Sequence, residues 1–199
     1  MRSRVPAAEV EKRGQGEARP YNRTGDHVPA LLLVDIIKDF EHEDGERLLN
    51  SFRERHRALV EVVEGARDAG MTIAYANDSD GRFGSDASGL VERALHGEGG
   101  KLVSAIVPRP EDLLVLKRHY SAFDETPLAS FLEERGIDGV IVAGTATERC
   151  VFQTAGDALR LGLDVTVRAD ACATVDERHE ALALDYLEQV LEVRVLGRD

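Results

Sequence analysis

Short apolar runs alternate with longer stretches of helical period along most of this chain. Ala30-Leu-Leu-Leu-Val34 is apolar throughout and stops at Asp35. From Leu48 to Ala69 the apolar residues Phe52, Leu59, Val62, Val63 and Ala66 recur at helical spacing, and Gly70 follows where a helix C-cap belongs. Met71 to Ala76 predicts a second strand and Leu113 to Leu116 a third. Pro127 to Glu134 predicts a helix with proline in its first turn. Val140 to Ala143 predicts a fourth strand. Glu148 to Leu161 predicts a helix, with Val151, Ala155 and Leu159 at i, i+4 and i+8. A fifth strand over Asp164–Arg168, a helix over Asp176–Val190 and a strand over Val193–Leu196 complete the rhythm.

Strands apolar on both faces and joined by helices describe a parallel sheet covered on both sides. The expected fold is therefore α/β: a three-layer α/β/α sandwich around a six-stranded parallel sheet, Rossmann-like in build. Two stretches fall outside this rhythm. Residues 1–28 show no apolar period, carry six Lys or Arg against four Asp or Glu, and read as a flexible N-terminal arm. Residues 29–199 are then one domain. Residues 79–101 are Gly-rich and polar, with one helical turn expected at Leu90–Leu95. A long loop after a strand usually shapes a site, and Arg82 and Phe83 are candidates to reach it.

Composition narrows the function classes. The formal net charge of −12 disfavours nucleic acid or anionic membrane as a partner, since both repel an acidic body. No apolar run approaches the ~20 residues of a membrane span. The N-terminus lacks the apolar core of a secretory signal, which predicts a cytoplasmic protein. Two cysteines, Cys150 and Cys172, make no disulfide framework. Six histidines are present, and none forms an Asp-x-His or His-x-x-x-His pattern, so no metal site and no cofactor are expected.

In open parallel sheets ligands bind beyond the carboxyl ends of the strands. Asp35, Lys117 and Cys150 all fall on that edge. Singly, each has an ordinary reading: an aspartate as a turn former, a lysine as a solvated charge, a cysteine as a packed thiol. Their shared edge is what points to chemistry. Thr147 is the expected N-cap, placing Cys150 in the first turn of a helix. There, free amide groups and a nearby ammonium are expected to lower its pKa. Cys172 lies beyond strand five and reads as structural.

These segments resemble the isochorismatase-like hydrolases. Leu31-Leu-Leu-Val-Asp35-Ile-Ile-Lys-Asp-Phe40 is similar to their first-strand motif, whose Asp is catalytic. Leu116-Lys117-Arg-His-Tyr120-Ser-Ala-Phe123 is similar to the segment of their catalytic Lys. Val142-Ala-Gly144-Thr-Ala-Thr147-Glu-Arg-Cys150-Val151 is similar to their nucleophile segment, continued at Thr154-Ala-Gly-Asp157-Ala158, Gly162 and Asp170-Ala171. The resemblance runs from residue 30 to about residue 196. It implies the α/β/α fold, a homodimer or homotetramer, a small-molecule substrate, and a cis peptide at Thr145–Ala146 beside an oxyanion site.

The cysteine favours C–N hydrolysis of an amide, ureide or N-carbamoyl compound over cleavage of an isochorismate-type vinyl ether. Nicotinamidases of this kind carry Asp-x-His after strand two. Here the stretch is Asn77-Asp78-Ser79-Asp80, which puts a metal and a nicotinamide substrate in doubt. Phe40, Asn77, Asp78, Tyr120 and Phe123 are the expected pocket residues. A non-catalytic binding protein and a redox pair of thiols remain the alternatives from other classes.

Overall fold

The structure is a computed structural model that describes residues 28–79 and 87–198. The N-terminal arm up to residue 27, and Arg82 and Phe83, lie outside the described residues. Six strands form one all-parallel sheet: β1 (Pro29–Val34), β2 (Ile73–Asp78), β3 (Leu113–Lys117), β4 (Gly139–Thr145), β5 (Asp164–Ala173) and β6 (Arg194–Leu196). Their spatial order is β3-β2-β1-β4-β5-β6. The order reverses between β1 and β4, which lie side by side, and the crevice above such a reversal is where open α/β sheets bind ligands.

Among the described residues six α-helices pack on the sheet: α1 (Gly45–Asp68), α2 (Ala87–His96), α3 (Gly100–Val103), α4 (Leu128–Glu134), α5 (Phe152–Arg160) and α6 (Glu177–Gln189). The two-residue period of β1 divides its side chains between two cores. Leu31 and Leu33 join Leu48, Phe52, Leu59 and Val63 of α1 and Leu90 and Ala94 of α2. Leu32 and Val34 join Leu128 and Leu132 of α4, Ala155 and Ala158 of α5, and Leu184 and Leu187 of α6. Both faces of the sheet are therefore covered, as the expected three-layer sandwich requires.

Several boundaries differ from those read in the sequence. β2 continues through Asn77 and Asp78, and β3 through Lys117, because their backbones pair with each other there. The expected turn at Leu90–Leu95 is the longer α2. The expected helix over Glu148–Leu161 is two pieces: a π-helical turn, Thr147–Val151, and then α5. β5 does not end at Arg168. While β4 advances from Val142 to Gly144, β5 advances from Val167 to Cys172, so the strand carries an irregularity and then resumes pairing up to Ala173. Cys172 is thus inside the sheet rather than beyond it. No helix among the described residues is long and apolar enough to cross a membrane.

Candidate active site

The carboxyl edge of the sheet gathers the side chains of Asp35, Lys117 and Cys150. Asp35 follows β1 with φ 50, a left-handed conformation that aspartate tolerates better than most residues. Its backbone is fixed from two sides. Its amide donates to the Ala76 carbonyl, and its own carbonyl accepts the Thr145 hydroxyl at 2.9 Å. Its carboxylate Oδ1 accepts the Asp78 amide at 2.7 Å. Oδ2 lies 2.7 Å from Lys117 Nζ. Lys117 starts two strands away from β1, a distance of about 9–10 Å at ordinary strand spacing. Its extended side chain and the Asp35 carboxylate together bridge that gap.

The ammonium then meets three partners. Besides Asp35, it donates to the His119 carbonyl at 3.1 Å and to Cys150 Sγ at 3.6 Å. Lys117 is only 1% exposed and Asp35 3%, so neither charge is a solvated surface group. Burial alone would lower the Lys117 pKa, but the Asp35 carboxylate and the Cys150 sulfur outweigh it, and the net shift is upward.

Cys150 itself departs from expectation. Burial in the first place, and then the Asp35 carboxylate, push its thiol up to about 12, against the pull of Lys117 and Lys38. The helix start does not win, because the sulfur sits half-buried beside an anion. Nor is Thr147 the N-cap. Ala146 holds that position with no side-chain cap, and the Thr147 hydroxyl points to Glu180 Oε1 at 2.8 Å and the Ala173 carbonyl at 3.2 Å. The peptide between Thr145 and Ala146 is cis, as the resemblance implied. Gly144 just before it has φ 134, and a Cβ there would stand 2.1 Å from the Val34 carbonyl oxygen, so only glycine lets β4 approach β1 so closely.

The expected pocket residues divide by environment. Asn77 is buried and spends both ends of its amide on Ile37, accepting from its N–H at 3.4 Å and donating to its carbonyl at 2.9 Å; it braces the turn after β1. Asp78 gives its amide to Asp35. Phe40 packs in the core, its ring centroid 5.3 Å from that of Phe52. Phe123 packs against the opposite core. Tyr120 is 54% exposed, on the segment that follows β3. Cys172 is fully buried, and burial raises its pKa to about 12. Among the described residues no three His, Cys, Asp or Glu side chains converge as metal ligands would.

Sequence reading missed the braces around the turn that bears Cys150. Glu148 accepts the Thr174 hydroxyl at 2.7 Å and the Val175 amide at 3.2 Å. Arg149 pairs with Asp44 at the start of α1, at 2.9 Å. Glu180 accepts from Thr147. These partners lie between 26 and 105 residues from the turn, and no local pattern marks them.

A family model described as the isochorismatase domain matches residues 29–196. The chain belongs to the isochorismatase family. An uncharacterized isochorismatase family protein of Bacillus subtilis, YaaI, is 30% identical over 162 residues, covering 81% of this chain and 90% of that one. The ureidoacrylate amidohydrolase RutB of Cronobacter sakazakii is 34% identical over 169 residues, covering 71% and 73%. The solved pyrazinamidase/nicotinamidase of Streptococcus mutans superposes with a TM-score of 0.69 at 28% identity, covering 84% of this chain and 99% of that one.

Proposed function

We propose that this protein is a cysteine-dependent hydrolase that cleaves the C–N bond of a small amide, ureide or N-carbamoyl compound. The observation that carries the reading is the buried Lys117 ammonium, 2.7 Å from the Asp35 carboxylate and within reach of the Cys150 sulfur at 3.6 Å. The amidohydrolase and amidase names among its relatives supply the bond type.

In this mechanism the resting thiol keeps its proton. Asp35 accepts that proton as Sγ bonds to the substrate carbonyl carbon, and Lys117 stabilises the developing thiolate. The carbonyl oxygen takes up negative charge, held by backbone N–H groups at Ala146 and Cys150, a role worth about 3–4 kcal/mol per donor. The C–N bond then breaks as Asp35 returns the proton to the departing nitrogen. Ammonia or an amine leaves, and a thioester remains. Asp35 next takes a proton from water, whose oxygen attacks the thioester. The C–S bond breaks, the acid is released, and the thiol regains its proton.

An ammonia-release screen over small amides, ureides and carbamoyl acids identifies the substrate. On that substrate Cys150→Ala is expected to lose turnover by at least about a thousandfold. Its circular dichroism and melting temperature should match the parent. An alanine variant that still turns over at the parental rate sinks the proposal.

A further inference from the structure

Glu180 stands where packing asks for an apolar residue. On α6 the inward stripe runs Glu180, Leu184, Leu187, at i, i+4 and i+7, and all three are buried. A carboxylate in such a stripe is costly unless it is fully held. It is held on both oxygens. Oε1 lies 2.8 Å from the Thr147 hydroxyl, and Oε2 accepts from Arg55 Nη2 at 3.3 Å. Arg55 in turn donates from Nη1 to the Ala169 carbonyl at 2.9 Å. A chain of polar contacts therefore runs from β5 through α1 and α6 to the first residue of the turn that bears Cys150.

Fixing Thr147 fixes that turn. The Thr147 carbonyl accepts the Phe152 amide, closing the wide π-helical loop around Cys150. The Ala146 carbonyl, one residue earlier, accepts the Arg149 and Val151 amides. The Thr147 hydroxyl, which also reaches the Ala173 carbonyl at 3.2 Å, is thus the anchor at the first residue of the backbone that sets the direction of the Cys150 side chain, beside the holds on Glu148 and Arg149.

We propose that Glu180 is a positioning residue, which by holding the Thr147 hydroxyl aims the Cys150 sulfur at Lys117 and Asp35. This rests on Cys150 being the nucleophile. Glu180 touches no reacting atom and acts only through Thr147. Released from this hold, the turn widens its range, the sulfur leaves its half-buried place beside the carboxylate, and the thiol becomes easier to ionise.

The test uses iodoacetamide on the full chain, with mass spectrometry to follow Cys150. Glu180→Leu completes the apolar stripe and is expected to fold with a melting temperature near the parental one. Its Cys150 is expected to alkylate at least threefold faster at pH 8, while turnover on the screened amide falls at least tenfold. Glu180→Gln keeps an acceptor for Thr147 and should stay within about twofold of the parent in both readouts. Thr147→Val should reproduce the loss and Thr147→Ser should rescue it, a pair that decides the matter if Glu180→Leu does not fold. Parental alkylation rates in Glu180→Leu or Thr147→Val, whatever their stability, overturn the proposal. If instead Cys150→Ala keeps turnover, the nucleophile reading falls, and the alkylation rates still judge the clamp by themselves.

Discussion

Cys150 is a thiol that ionises with difficulty and still sits against an ammonium. The two facts agree once Asp35 is included. Burial and then the Asp35 carboxylate raise the thiol pKa, Lys117 lowers it, and the net shift keeps the resting thiol protonated. With a folded value of about 12, the thiolate fraction should grow tenfold per pH unit across the whole working range. The rate of Cys150 alkylation by iodoacetamide is therefore expected to climb without a plateau from pH 7 to pH 10. A plateau below pH 8 would show a thiol activated in the resting state. Asp35→Asn leaves the burial but removes the charge that adds to it in raising the thiol, so it should alkylate faster than the parent at any fixed pH in this range. Its turnover should nonetheless fall at least about a hundredfold, for lack of the base.

The same substitution strands the buried Lys117 charge, at a cost of about 3–5 kcal/mol. Asp35→Asn/Lys117→Met should therefore melt higher than Asp35→Asn alone. Its kcat should be no lower than that of the worse single variant, because parts of one unit fail together. Turnover losses that multiply would argue for independent roles.

At the scale of elements, the site depends on how closely β1 and β4 approach. Val34 pairs with Gly144, and that pairing brings the Asp35 carbonyl to the Thr145 hydroxyl. A methyl at residue 144 meets the Val34 carbonyl oxygen at 2.1 Å, backbone against backbone, with φ 134 disfavouring any side chain. Gly144→Ala is expected to lose more than about 4 kcal/mol, the range reserved for forced clashes and strained backbone. Urea unfolding followed by circular dichroism measures this, and a midpoint within experimental error of the parent would contradict it. The turn that bears Cys150 is held in the opposite way. It has no capping side chain of its own and is held instead by Glu180, Thr174 and Asp44, which belong to α6, the end of β5 and the start of α1. Local propensity reads this segment as a plain helix, because a π-helical turn has no distinctive residue pattern and its supports are supplied from elsewhere in the fold.

At the scale of the molecule, the reversal of strand order places Asp35 and Cys150 on either side of one crevice, with Lys117 reaching in from β3. No metal-bound hydroxide is needed where a thiol supplies the nucleophile. At the carboxyl end of β2 and just past it the described donors are Asn77, Asp78 and Ser79, and Asn77 is committed to Ile37. Turnover is expected to survive exhaustive dialysis against EDTA, with no stoichiometric transition metal by mass spectrometry. Activity lost on chelation and restored by zinc, iron or manganese would overturn this. The alternation of apolar runs and helical periods was enough to establish six parallel strands, the two covered faces and the edge on which Asp35, Lys117 and Cys150 fall. Hydrophobic period is a local property, and strand ends follow from it to within a residue or two, except at the carboxyl end of β5, which runs on to Ala173. The sequence also carried the segments by which the family is recognised. What it did not contain is anything set by partners far along the chain. The extension of β5 past its irregularity to Cys172, the burial that raises the Cys150 thiol, the brace of Asn77 on Ile37 and the hold of Glu180 on Thr147 were decided only by tertiary structure. Each depends on a distance or a dielectric between residues brought together by folding, and neither quantity exists in the order of residues alone.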